Sequence, residues 1–126
     1  MNAQSPSILV LDDNRDAADT LVALLEVEGY ATRTAYSVRD ALDTLDDDPS
    51  IAAVVSDVRM PDVDGFDFLR VVRLRHPSLG VILVTGQAIT GDDVVPRNAT
   101  VLTKPVRMPA LLDALAAIDA FHDPTR

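Results

Sequence analysis

The chain has 126 residues, 48% of them apolar and 25% charged, a balance that fits one globular domain with a core of its own. Acidic residues outnumber basic ones 20 to 11 and the net charge is −9, which argues against nucleic acid or an anionic membrane as a direct partner. Without cysteine, disulfides, thiolate catalysis and Cys-ligated zinc are excluded. No segment reads as a leader or as a membrane span, so the expected location is the cytoplasm.

Short apolar runs alternate with stretches of helical period. Ser7 to Leu11 reads as a first strand, and Ala18, Leu21, Val22 and Leu25 repeat as one face of a helix that Gly29 ends. Ala31 to Ala35 is a second strand, more polar and so expected at a sheet edge. Val38, Ala41, Leu42 and Leu45 define a second helix, closed by Asp46-Asp47-Asp48-Pro49. Ile51 to Ser56 is a third strand. A helix follows from Gly65 or Phe66 to Arg75, with Phe66, Leu69 and Val72 inward and His76-Pro77 as its stop. Val81 to Val84 is a fourth strand between Gly80 and Thr85-Gly86, and Thr100 to Thr103 is a short fifth. A final helix is expected from Arg107 to Ala120, with Leu111, Leu115 and Ile118 on one face. The alternation implies right-handed crossovers and a parallel sheet covered on both sides. Gly86, Gly91 and Pro96 leave room for at most one helical turn between the fourth and fifth strands. Residues 7–121 form the expected domain, with 1–6 and 122–126 as flexible ends.

Acid stands where the strands stop. The first strand ends at Asp12-Asp13, and the third ends at Asp57. In a doubly wound sheet of order 2-1-3-4-5 the first and third strands are neighbours, about 4.8 Å apart, and ligands sit outside their carboxyl ends. Three close carboxylates need a cation or a proton to coexist. Thr85 ends the fourth strand and Lys104 the fifth, at the same rim. Oxygen-only ligation favours Mg²⁺ where phosphate is handled, while a hydroxyl and an ammonium suit phosphoryl oxygens. The constellation reads as phosphoryl transfer to an aspartate. Each part alone has a plainer reading: Asp12-Asp13-Asn14 as a helix cap, Pro61 to Gly65 and Thr85-Gly86 as turns, Lys104 as a solvated charge. Their coincidence at one rim favours chemistry.

Asp12-Asp13, Asp57 with Met60-Pro61 and Asp64-Gly65, Thr85, and Lys104-Pro105 form an ordered set. By it the chain resembles the receiver domain of bacterial two-component response regulators over nearly its whole length. The resemblance implies a flavodoxin-like (CheY-like) doubly wound five-stranded fold, here with a shortened or missing fourth helix. It implies a signalling phosphoacceptor, limited as an enzyme to its own phosphorylation and dephosphorylation. Asp57 would take a phosphoryl group from a sensor histidine kinase or histidine phosphotransfer protein, and an unknown output partner would receive the signal. Asp13, Asp57 and the Arg59 backbone carbonyl would bind Mg²⁺, with Asp12 assisting through water. Thr85 and Lys104 would hold the phosphoryl group, Arg59 and Gln87 would tune its lifetime, and the Lys104-Pro105 bond is often cis. Val101 departs from the family's aromatic switch residue, so switching is expected to reside in the Gly86 to Ala99 segment.

Two rivals remain. A haloacid-dehalogenase-type phosphohydrolase wants an acid two residues after its nucleophile, and Arg59 stands there. A pseudo-receiver, keeping the fold as an interaction module, would normally have lost one of the acids or the lysine.

Overall fold

The computed structural model describes residues 6–57, 65–86, 99–118 and 121, with the backbone alone at 65 and 66. The elements in chain order are β1 (Ser7–Leu11), α1 (Arg15–Val27), β2 (Ala31–Ala35), α2 (Val38–Asp47), β3 (Ile51–Asp57), α3 (Gly65–Arg75), β4 (Gly80–Thr85), β5 (Ala99–Thr103) and α4 (Met108–Ala116). All strand pairs are parallel, and the five strands lie in the order β2-β1-β3-β4-β5. This is a flavodoxin-like doubly wound sheet.

Side-chain alternation along the central strands divides the core. Leu9, Leu11, Val54, Val81 and Leu83 face α2 and α3, meeting Ala41, Leu45, Phe68, Leu69 and Val72. Ile8, Val10, Val55, Ile82 and Val84 face α1 and α4, meeting Ala18, Leu25, Leu111 and Leu115. Strands buried on both faces are apolar through most of their length, which is why Ile8 to Leu11, Ile51 to Val55 and Val81 to Val84 read as unbroken hydrophobic runs. β2 lies at the edge and alternates exposed and covered residues, so its polar Thr32, Arg33 and Thr34 are tolerated there.

Local signals start and stop the helices. Asn14 accepts a hydrogen bond from the Ala17 N–H at 3.1 Å and caps α1, and Ser37 does the same for α2 with Asp40. At the end of α1, Tyr30 N–H bonds Leu25 C=O and Gly29 N–H bonds Glu26 C=O. This double closure requires a left-handed residue, and Gly29 supplies it at φ +96°.

Two element ends differ from the sequence reading, and one buried residue adds to it. In α3 the fully buried aromatic is Phe68, packed with Leu69 and Val72, whereas the Phe66 side chain lies outside the described residues. The last helix begins at Met108, with Arg107 as its cap, and ends at Ala116 rather than Ala120. There the bonding shortens: Ile118 N–H turns to Leu115 C=O and Phe121 N–H to Ile118 C=O, the three-residue spacing of a tightened turn. The Phe121 ring then meets Tyr30 edge-on at 5.5 Å. Finally, β3 runs one residue further than read, through Asp57. The reduced helix expected between β4 and β5 falls on residues 87–98, outside the described residues, as do both chain ends.

Candidate phosphoryl-transfer site at the carboxyl rim

The register of the sheet places the rim residues. Leu11 pairs with Ser56, so Asp12 and Asp57 leave neighbouring strands at the same height. Asp57 pairs with Val84, and Thr85 pairs with Thr103, one residue before Lys104. The Lys104 N–H donates to the Thr85 carbonyl at 2.7 Å, which draws the chain leaving β5 across the end of β4. From there the Lys104 stem passes Gly86 and its Nζ donates to Asp57 Oδ2 at 2.7 Å. The flexible lysine stem thus spans the strand that separates β5 from β3. The Lys104–Pro105 bond is cis.

The Asp57 side chain is only 11% exposed, against 45% for Lys104, so the pair is half withdrawn from water. The Asp57 hydrogen bond is the main reason the Lys104 ammonium is held above its ordinary range, with burial opposing it. Asp12 is also raised, which in a carboxyl disfavours the charged form. Burial raises its carboxyl, the backbone N–H of Asn14 pulls it down, the Asp57 charge raises it, Lys104 lowers it and Asp13 raises it. Two carboxylates and an ammonium therefore share one field, with the exposed Asp13 contributing from the side.

Each residue singled out in the sequence can now be placed. Asp12, Asp57 and Lys104 line one open groove of about 800 Å³. Thr85 is buried at the end of β4, with its carbonyl in the Lys104 contact. Asp13 is exposed beside them. Arg59, Met60, Pro61, Asp64 and Gln87 lie outside the described residues. The capping reading of Asp12-Asp13-Asn14 also holds in part, because Asn14 caps α1 and Asp12 Oδ1 accepts the Asn14 N–H at 2.9 Å. One residue caps the helix while its neighbours supply the charge.

Among the described residues no three His, Cys, Asp or Glu side chains gather as a ready metal cage. The rim carboxylates of Asp12 and Asp57 are oxygen donors, and Mg²⁺ takes one or two such carboxylates together with waters and phosphate oxygens.

Two features were missed in the sequence. The groove continues from the carboxylates along Ala17, Thr20, Leu21 and Leu24 of α1 and past Pro105 and Val106. Leu24 is 44% exposed and stands outside the Ala18–Leu25 face, so an apolar residue off the buried stripe was the available signal. Ser56 is the other: a hydroxyl interrupting an apolar run just before Asp57, fully buried.

The family model for the response regulator receiver domain matches residues 8–116. The chain belongs to the response regulator receiver family. The receiver is 35% identical over 99 residues to the transcriptional regulatory protein CpxR of Escherichia coli strain K12, a match covering 71% of this chain and 42% of that protein. It therefore spans less than half of that relative's length. The response regulator receiver protein CpdR of Brucella abortus is 30% identical over 111 residues, covering 86% of this chain and 92% of CpdR. Among solved structures, a response regulator receiver domain protein from Clostridium thermocellum superposes with a TM-score of 0.83 at 30% identity, over 92% of this receiver and 94% of that chain. The receiver is thus a signalling domain of the two-component type.

Proposed function

We propose that this receiver accepts a phosphoryl group on Asp57 from a phosphohistidine on a sensor histidine kinase or histidine phosphotransfer protein. The observation that carries the reading is the Asp57–Lys104 contact of 2.7 Å at the strand rim, with the Asp12 charge in the same field. An Asp57 carboxylate oxygen attacks phosphorus, a new O–P bond forms as the donor's N–P bond breaks, and the electron pair returns to the imidazole. Lys104 already lies at the attacking carboxylate, so its charge is in place for the oxygens that arrive. Thr85, at the end of the adjacent strand, offers a hydroxyl to the same oxygens. Asp12, Asp13, Asp57 and the Arg59 backbone carbonyl would hold Mg²⁺, which supplies neutralisation of charge between the carboxylates and the incoming phosphoryl group. Water later attacks the acyl phosphate and releases inorganic phosphate, so the signal decays without another enzyme.

The apolar wall of α1, from Ala17 to Leu24, borders the groove that leads to Asp57, and we assign the donor protein to that approach. The domain is taken to span residues 7–121 and to act in the cytoplasm, passing its state to an output partner. Intact mass after incubation with a small acyl phosphate, with and without Mg²⁺, tests the reading. A Mg²⁺-dependent gain of one phosphoryl group, lost in Asp57→Asn, supports it. No gain under any condition, with no Mg²⁺ binding, makes the chain a pseudo-receiver.

A further inference from the structure

We propose that Ser56 is a positioning residue for the reaction at Asp57, acting through the backbone from the opposite face of the sheet. The proposal rests on Asp57 being the acceptor. Among the described residues the buried polar side chains are Ser7, Ser56 and Thr85. Ser7 bonds Ser50 at the far end of the sheet. Ser56 is 0% exposed and sits in register between Leu11 and Leu83, in the apolar layer beneath α3. A hydroxyl there gives up water and gains none of the apolar contact a valine would make, a cost that must be met by a hydrogen bond.

The Ser56 hydroxyl donates to the backbone carbonyl of Asp57 at 3.1 Å. That carbonyl belongs to the planar peptide that follows Asp57. Holding it restrains ψ of Asp57, and backbone angles select the side-chain rotamer. Asp57 pairs with Val84, which faces α1 and α4, so its carboxylate stands on the groove side while Ser56 anchors the same backbone from beneath. The hydroxyl therefore limits how far the carboxylate can swing from its aim, the kind of misplacement to which in-line transfer is sensitive.

The test measures phosphorylation rate against donor concentration by intact mass, for wild type, Ser56→Ala, Ser56→Cys and Ser56→Thr, with thermal midpoints by circular dichroism. Ala removes the donor, Cys keeps the volume with a weak donor, and Thr restores the hydroxyl. The expected result is a maximum rate about five- to tenfold lower in Ala and Cys, as for one lost hydrogen bond, with donor half-saturation unchanged and Thr near wild type. Should Thr not fold, the comparison of Cys with wild type decides. Wild-type rates in Ala and Cys overturn the role of Ser56 alone, as does a fall in all three variants that tracks their melting temperatures. A wild type that accepts no phosphoryl group overturns the assignment of Asp57 and this inference with it.

Discussion

Replacing Asp12 by Asn should stabilise the folded protein at neutral pH. The Asn14 N–H bonds Asp12 Oδ1 at 2.9 Å, and an asparagine oxygen can accept the same bond, so the turn into α1 survives. What disappears is a charge that burial disfavours first, and that the Asp57 and Asp13 carboxylates disfavour further. Lys104 loses one attractive neighbour but keeps Asp57 at 2.7 Å. Two repulsions against one attraction leave a net of one screened contact at a partly exposed rim, about 0.2–1 kcal/mol. For a domain of this size that is a melting-temperature gain of about 1–4 °C. The pH dependence gives the stronger test. Because folding raises this carboxyl above its ordinary value of 3.8, its contribution is fully present below 3.8 and is lost as pH rises through the raised folded value. The variant should thus match wild type in acid, pull ahead as pH rises through the carboxylate range, and hold its lead at pH 7. Thermal melts by circular dichroism, in Mg²⁺-free buffer of low ionic strength, read this directly. A variant that melts at or below wild type at neutral pH, or whose lead is the same in acid, refutes the electrostatic account of the rim.

Other consequences are more local. Lys104→Met leaves the Asp57 carboxylate without its 2.7 Å partner and should slow acyl-phosphate labelling at least about tenfold; labelling within a factor of about two of wild type would remove Lys104 from the chemistry. Phe68→Ala empties the largest side-chain site of the core and should cost about 3–5 kcal/mol in urea unfolding, whereas a loss under about 1.5 would mean the α3 face repacks freely. A Cβ on Gly80 would stand 2.5 Å from Ile118 Cδ1, so Gly80→Ala should cost about 1–3 kcal/mol. Ile118→Ala in the same chain should recover part of that loss, and strictly additive costs in the double-mutant cycle would show that the two sites do not touch.

The sheet was legible because its central strands are buried on both faces: Ile8 to Leu11 and Val81 to Val84 have no polar residue to confuse the period. The rim acids were legible for the same reason, since the apolar run of β1 stops at Asp12 and that of β3 at Ser56-Asp57. Elsewhere period alone left the phase open. Phe68 is not among the residues read as inward, and only its packing against Leu69 and Val72 shows it to be part of the buried face of α3. The early end of α4 depends on a change of hydrogen-bond spacing after Leu115, which side-chain pattern does not encode. The Lys104–Asp57 contact follows from register, as 47 residues of sequence separate the two while the sheet brings their rims together. Ser56 read as an ordinary strand residue, because a single hydroxyl in an apolar run says nothing of which carbonyl it meets.

The central claim is that Asp57 itself becomes the acyl phosphate, and the most direct measurement is to locate the group on the chain. Protein labelled with a small acyl phosphate in Mg²⁺ is reduced with borohydride, which converts a phosphorylated aspartate to homoserine, then digested and sequenced by mass spectrometry. The account predicts homoserine at position 57 and nowhere else, dependent on both donor and Mg²⁺. Homoserine at position 12 or 13, or labelled protein with aspartate intact at 57, would contradict it.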